Sequence, residues 1–356
     1  MSILNLIRPE LLEIPTYIAG SEQIKNRLHA NELPWSAINA DSIDLNFYPE
    51  KEYKIQLQEQ LAQRYQIEPD QLVLTRGSDD GIDLLVRLFL KAGRDAFMQF
   101  PPTFSMYEFY VQLQQAQIIQ CPLDLNTGFA LDLKQVNRCW QENCKIIMLC
   151  SPNNPTANAI DLELIASLCH QYKNRSVIVV DEAYIEFADR QSATSLISQF
   201  DNLIVLRTLS KAYGLAALRL GIVIAQSQVI QALNKIMAPY PLSSVVMRLA
   251  QQALSNDAWF MTAIERIKKA RLKLSTDLAA NSLIEKVYPS ETNFILVKTA
   301  YAKELVNWLS QQGITIRGFA ANSALSDHLR ITVGDEQQNL LVMAALSSFK
   351  NRISGL

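Results

Sequence analysis

Two short apolar runs, Leu203 to Leu206 and Leu220 to Ala225, bracket a polar stretch that contains Ser210, Lys211 and, eight residues further on, Arg219. The first run reads as a strand buried in the interior, and the second leaves the polar stretch in the same way. A lysine directly after a strand can be partly desolvated, which lowers its pKa and makes the neutral, nucleophilic amine accessible. Such an amine can form a Schiff base with an aldehyde. Ser210 and Arg219 are donors of the kind that hold a phosphate. Two readings are open from this stretch alone: a Schiff-base lysine beside a phosphate site, or a surface lysine in a loop. Under the first, lysine plus phosphate anchors suggests pyridoxal phosphate, an aldehyde that carries its own phosphate.

The length, 356 residues, is more than one core usually fills, so two domains are expected. A net charge of −2 gives no electrostatic case for nucleic acid or an anionic membrane as partner. No apolar run reaches membrane-spanning length. Met1 to Glu13 lacks a basic segment followed by an apolar core and a small-residue cleavage site, so no signal peptide is expected. The five cysteines, Cys121, Cys139, Cys144, Cys150 and Cys169, are odd in number and lack C-x-x-C spacing. That fits free thiols in a reducing cytosol and argues against a metal site.

From Leu72 to Ala225, apolar runs alternate with amphipathic segments. Strands are expected at Leu72 to Thr75, Ala96 to Phe100, Lys145 to Cys150 and Val177 to Val180, the last ending at Asp181. Helices are expected at Lys51 to Tyr65, after Gly81, within Phe104 to Gln115, and from a cap at Asp161 to about Tyr172. Several strands are apolar on both faces, which argues for a buried, mostly parallel sheet with crossover helices. After Pro239-Tyr240-Pro241 the pattern changes. Ser244 to Ala279 reads as one long helix-compatible stretch. A smaller α+β unit follows, with strands at Asn293 to Val297, Ile314 to Arg317 and His328 to Val333 and helices at Lys303 to Gln311 and Glu336 to Phe349. The division expected is an arm over 1–35, a large α/β domain over 36–243, and a linking helix with a small domain over 244–356.

Polar residues collect where strands end, which is where ligands bind in open α/β sheets. Gly77, Ser78 and Asp79 lie between a strand and a helix N-terminus, a place suited to phosphate or simply to capping. Asn154 and Asp181 each follow a strand, and Tyr184 lies three residues beyond Asp181. A carboxylate there could pair with a protonated pyridine nitrogen, and Asn154 and Tyr184 could bond the ring's phenolate oxygen. Phe104 could stack on the ring face or pack as a core aromatic.

In chain order these features are Gly77-Ser78-Asp79, Pro101-Pro102-Thr103-Phe104, Asn154-Pro155, Asp181-Glu182-Ala183-Tyr184, Ser210-Lys211 and Arg219. Together they resemble the fold-type I, pyridoxal-phosphate-dependent aminotransferases over nearly the whole chain. Ser151 to Thr156, Asp181 to Phe187, Arg207 to Ala212, Ala238 to Ser243, Glu291 to Phe294 and Leu329 to Gly334 are similar more narrowly to the histidinol-phosphate aminotransferases. The resemblance implies a large, mostly parallel seven-stranded-type sheet and a smaller α+β domain. It implies Lys211 as Schiff-base lysine and proton shuttle, Asp181 on the pyridine nitrogen, and Asn154 and Tyr184 on the ring oxygen. Gly77, Ser78, Asp79, Ser210 and Arg219 would hold the cofactor phosphate. Tyr48 would reach the phosphate of a second subunit, so a homodimer with shared sites is implied. Arg330 would take the substrate anion, with Arg317, Asn31 and Tyr17 nearby.

The chain departs from the family pattern at Ala157 and Ala217, where glycine is usual, and at Phe104, where tyrosine is common. Alanine disfavours positive φ, so the local backbone is expected to differ. The implied reaction moves an amino group between L-histidinol phosphate and 2-oxoglutarate in the cytoplasm, in histidine biosynthesis. An aromatic amino-acid aminotransferase or a threonine-phosphate decarboxylase of the same fold is the alternative. A non-catalytic protein of this fold would be expected to lack Lys211 or to carry an added DNA-binding segment. A nicotinamide dehydrogenase is disfavoured, because no G-x-G-x-x-G occurs among the 11 glycines.

Overall fold

The computed structural model describes residues 3–15, 31–38, 43 and 45–354. Seven strands form the larger sheet: β1 (Leu72–Thr75), β2 (Ala96–Gln99), β3 (Gln117–Gln120), β4 (Cys144–Cys150), β5 (Val177–Asp181), β6 (Leu203–Thr208) and β7 (Gly221–Ala225). Their order is β1-β7-β6-β5-β4-β2-β3, and only β7 runs antiparallel to its neighbours. β5 shows why these runs are apolar throughout: it is buried at every position. Ile178 and Val180 pack with Leu74, Leu149 and Ile222 on one face, while Val177 and Val179 pack with Val73, Met148 and Val223 on the other. Helices Lys51–Tyr65, Leu162–Gln171 and Ser244–Leu254 cover the first face. Ser78–Phe89, Met106–Leu113 and Ser227–Ile236 cover the second. Each aliphatic side chain buried this way contributes roughly 1.5–3 kcal/mol of transfer free energy.

A second sheet is antiparallel, in the order β10-β11-β9-β8, from β8 (Lys286–Val287), β9 (Phe294–Lys298), β10 (Arg317–Gly318) and β11 (His328–Thr332). Its apolar face, with Ile295, Val297, Leu329 and Ile331, packs on helices Asp257–Ala279, Ala302–Gln311 and Glu336–Ser354. Among the described residues no helix is long and apolar enough to cross a membrane.

Several local expectations are corrected. The stretch Ser244 to Ala279 is two helices, Ser244–Leu254 and Asp257–Ala279. Asn256 starts the second, its side-chain oxygen accepting from the Trp259 N–H at 3.2 Å. Of the expected strand at Ile314 to Arg317 only Arg317 is paired, in a two-residue strand with Gly318. β3 gave no apolar run because it is an edge strand with one buried residue, Ile119. Asp161 precedes its helix without a side-chain cap bond. Its carboxylate pairs with Arg190, which also holds Glu291, and a charged donor outcompetes a backbone N–H. Ala157, expected to avoid positive φ, adopts φ +66°. Its N–H donates to the Asn153 carbonyl and its own carbonyl accepts from the Glu291 N–H, each at 2.8 Å, so hydrogen bonds on both sides hold the conformation. Ala217 lies in a short 3-10 turn, Ala216–Leu218, and the positive φ falls on Arg219, at +50°.

One close approach fixes how β7 meets the loop after β1. Gly221 pairs with both Thr75 and Thr208, and a Cβ there would lie 2.3 Å from the carbonyl carbon of Gly77 and 2.4 Å from the Ser78 nitrogen. No side chain fits. Gly221→Ala is therefore expected to displace the Gly77-Ser78 turn and to cost about 1–3 kcal/mol in stability, the range for overpacking a closed site. Urea unfolding of the cofactor-free protein measures this, and an unchanged midpoint would refute the close packing.

Candidate active site

The parallel register decides which residues meet. Cys150 pairs with Asp181, and Asp181 with Leu206. Strands β4, β5 and β6 therefore end side by side, and the segments leaving them open into one cleft of ≈ 390 Å³. Asn154, Asp181, Tyr184, Ser210, Lys211 and Arg219 line it, as do Ser78, Asp79 and Phe104. Arg317 and Arg330 of the small sheet, with Phe319 just after β10, also line it.

Lys211 stands in a loop that closes on itself. The Leu209 N–H bonds the Leu220 carbonyl, the Gly214 N–H bonds the Lys211 carbonyl, and the Leu215 N–H bonds the Leu209 carbonyl. The Ser210 N–H donates to the Thr208 hydroxyl at 3.1 Å. The Lys211 Nζ sits 5.7 Å from the centre of the Tyr184 ring. Although Lys211 keeps an exposed surface, partial desolvation by the cleft walls pulls its pKa below the ordinary lysine value, and Arg330 and Arg219 add to this against the opposing Asp79 and Asp181. The neutral amine is thus more accessible than in an open loop.

Asp181 is 3% exposed. The Tyr107 hydroxyl donates to one carboxylate oxygen at 2.7 Å, and the Ala183 N–H to the other at 3.1 Å. Burial outweighs these bonds and pushes the carboxyl up to about 6. A buried carboxylate in this state calls for a cationic partner, and a protonated ring nitrogen is one. Beside it, the Asn154 side-chain amide donates to the Tyr184 hydroxyl at 3.4 Å. Behind the site Arg207, on β6, pairs with Glu182 at 3.2 Å and with Glu186 at 2.7 Å. Those two carboxylates flank Tyr184, so the buried guanidinium ties the Tyr184 segment to the strand that leads to Lys211.

At the other end, Gly77 precedes the helix Ser78–Phe89 with φ +80°. A Cβ on Gly77 would lie 2.8 Å from Nη2 of Arg219, so the guanidinium lies directly against the turn. Arg219 also donates to Asp79 at 3.3 Å. A helix N-terminus with unpaired N–H groups and an adjacent guanidinium is suited to a phosphate.

The sequence-derived set is thus brought together except at three positions. Tyr48 is 49% exposed and stacks on Tyr240, with ring centres 4.6 Å apart; it is outside the cleft lining of this one chain. Asn31 is exposed, with φ +57°, and is also outside that lining. Tyr17 lies outside the described residues. Three participants were not recognised from sequence. Tyr107 lies on the helix Met106–Leu113 with no motif to mark it. Thr208 caps the Ser210 turn, and Phe319 follows β10 with no motif to mark it.

The sequence profile of the family described as "Aminotransferase class I and II" matches residues 16–346. The chain belongs to the class I and II aminotransferases. A histidinol-phosphate aminotransferase 1 of Legionella pneumophila (strain Lens) is 59% identical over 356 residues, covering 100% of this chain and 98% of that protein. A histidinol-phosphate aminotransferase of Xanthomonas euvesicatoria pv. vesicatoria is 38% identical, covering 99% of each chain. Among solved structures, a histidinol-phosphate aminotransferase from Sinorhizobium meliloti in complex with pyridoxal-5'-phosphate is 25% identical with a TM-score of 0.76, covering 85% of this chain and 83% of that one. The aminotransferase cleft fits that cofactor by its donor set: an amine of lowered pKa, a buried carboxylate for a ring nitrogen, and a glycine turn with a guanidinium for a phosphate.

The raised Asp181 carboxyl makes a pH-dependent prediction for the cofactor-free aminotransferase. A carboxyl at 3.8 in its ordinary state and about 6 when folded penalises the folded form once ionised. The penalty is absent below pH 4, grows between pH 4 and 6, and is complete above pH 6. Asp181→Asn should therefore be more stable than wild type above pH 6, by up to about 3 kcal/mol, with the difference vanishing below pH 4. Chemical denaturation across pH 3.5–8 tests this, and a less stable variant at pH 8 would contradict it.

Proposed function

We propose that this aminotransferase moves an amino group between L-histidinol phosphate and 2-oxoglutarate, in histidine biosynthesis in the cytoplasm. The observation that carries this reading is a pair of arginines. Arg317 and Arg330 face each other across β10 and β11 and both line the cleft. Among the described residues neither has a carboxylate within ion-pair distance. Directly opposed like charges destabilise a sheet, so the arrangement calls for an anion between them. A phosphate dianion answers two guanidiniums better than a single carboxylate does. The relatives at 59% and 38% identity carry the same substrate in their names.

The proposed roles follow the geometry. Pyridoxal phosphate, when bound, supplies an electron-withdrawing ring that takes up charge from the substrate's α-carbon. Lys211 Nζ would accept the proton from that carbon and deliver it, within the same half-reaction, to the cofactor's carbonyl carbon, and the second half-reaction would run the same transfer in reverse. Asp181 holds the ring nitrogen protonated, because a carboxylate stabilises the cationic form. Asn154 and Tyr184 bond the ring oxygen, and Phe104 covers one ring face. Gly77 and Ser78, with Ser210 and Arg219, hold the phosphate, while Asp79 contributes its backbone N–H and fixes Arg219. Arg330 takes the carboxylate of glutamate or, with Arg317, the phosphate of histidinol phosphate. The domain division at residues 35 and 243, and a homodimer in which Tyr48 serves the other subunit's site, belong to the same proposal. Asn31 and Tyr17 are placed near the substrate on the resemblance alone.

Single-turnover measurements of each half-reaction test the substrate assignment. Arg330→Ala should weaken both halves by about 10- to 100-fold, the loss expected for charge-assisted bonds. Arg317→Ala should weaken the histidinol phosphate half more than the glutamate half. Faster turnover of phenylalanine or tyrosine than of histidinol phosphate by the wild-type enzyme would replace this reading with an aromatic amino-acid aminotransferase. Mixing inactive Tyr48→Ala and Lys211→Ala subunits should restore part of the activity, because one hybrid site is intact. No recovery despite proven subunit exchange would remove the shared site.

A further inference from the structure

The segment Glu291-Thr292-Asn293-Phe294 is distinctive in sequence, yet none of the roles above uses it. Phe294 opens β9 and is buried. The Arg330 guanidinium carbon lies 5.2 Å from the centre of its ring. The same ring meets Tyr184 edge to face, with centres 5.2 Å apart and planes at 90°. A guanidinium over an aromatic face is attracted by the ring's quadrupole, more strongly when both are desolvated. Arg330 also bonds the Asn154 side-chain oxygen, to which Nη1 donates. The aromatic ring lies against the guanidinium and the Asn154 bond engages one of its N–H groups. The remaining N–H groups are left for an anion.

Phe294 is itself held by hydroxyls. Ser290 and Thr292 both donate to the Phe294 carbonyl, and the Phe294 N–H donates to the Thr292 hydroxyl. Arg271, from the long helix, bonds the carbonyls of Phe187 and Thr292 at 3.1 and 2.8 Å. The Glu291 N–H bonds the Ala157 carbonyl at 2.8 Å. The plate under Arg330 is therefore anchored to the loop beyond Asn154 and to the turn beyond Tyr184, both of which belong to the large-sheet part of the chain.

We propose that Phe294 is a positioning residue for substrate recognition: its ring is the plate that fixes the Arg330 guanidinium for the incoming anion, and its edge holds Tyr184 in register with it. This rests on the assignment of Arg330 as the anion site and adds the residue that sets that site's affinity. Phe294→Leu keeps an apolar side chain but removes the π face, whereas Phe294→Tyr keeps the face.

The probe is maleate, a dicarboxylate that cannot donate an amino group, titrated into the pyridoxal-phosphate-loaded enzyme by calorimetry. Phe294→Leu should raise the maleate dissociation constant by about 2- to 30-fold and raise KM for glutamate more than it lowers kcat. Phe294→Tyr should bind maleate within about twofold of wild type. Thermal unfolding of the cofactor-free variants reports packing separately. Equal weakening in both variants, or weakening that merely follows a lowered unfolding temperature, makes the ring a packing element and overturns the proposal. Arg330→Lys separates the two assignments. If it leaves maleate binding intact, Arg330 is not the anion site and the proposal falls with it. If it weakens maleate while Phe294→Leu does not, Arg330 stands and the role of Phe294 alone is overturned.

Discussion

The parallel hydrogen-bonded register of β4, β5 and β6 is the constraint on which the site depends. Backbone groups inside a dry sheet must pair, and the pairing of Cys150 with Asp181 and Asp181 with Leu206 leaves no freedom in where these strands end. Three chain segments, far apart in sequence, therefore emerge together. A slip of one residue would turn Asp181 to the other face of the sheet. The continuous aliphatic runs forbid that slip, because both faces are already filled by closely packed side chains.

That packing also creates the electrostatics. Burial pushes the Asp181 carboxyl up, and partial desolvation at the cleft wall pulls the Lys211 ammonium down, bringing an acid and a base closer in pKa than they would be in water. The buried charge of Arg207 offsets part of the carboxylate charge behind the site, and the Tyr65 ring lies 4.5 Å from its guanidinium carbon. Breaking a buried ion pair of this kind costs about 3–5 kcal/mol, because it leaves a charge unpaired. Stability and site geometry here draw on the same residues.

The small sheet contributes differently. β10 is only two residues long, yet its pairing with β11 places Arg317 opposite Arg330. Arg330 in turn reaches the Asn154 oxygen across 176 residues of sequence. One guanidinium thus touches the residue proposed for the ring oxygen and the aromatic ring next to Tyr184, so the groups proposed for the substrate anion and for the cofactor adjoin.

Local chemistry by itself determined much of this protein. Apolar runs fixed most of the central strands of the large sheet, because a strand buried on both faces has no room for polar residues. Strand ends marked Asp181, Asn154 and the Ser210-Lys211 pair, because polar groups must leave a dry sheet where it stops. Glycine before a helix marked the Gly77 turn. Only the tertiary structure decided the rest. The edge strand β3 and the two-residue β10 carry too little burial to leave a pattern. The break at Asn256 depends on one capping bond inside a stretch compatible with helix throughout. Ala157 takes a left-handed φ because neighbours at Asn153 and Glu291 hold it there, which local preference alone opposes. The Tyr107 hydroxyl beneath Asp181 and the Phe294 ring against Arg330 are contacts between residues far apart in the chain, which no local pattern records.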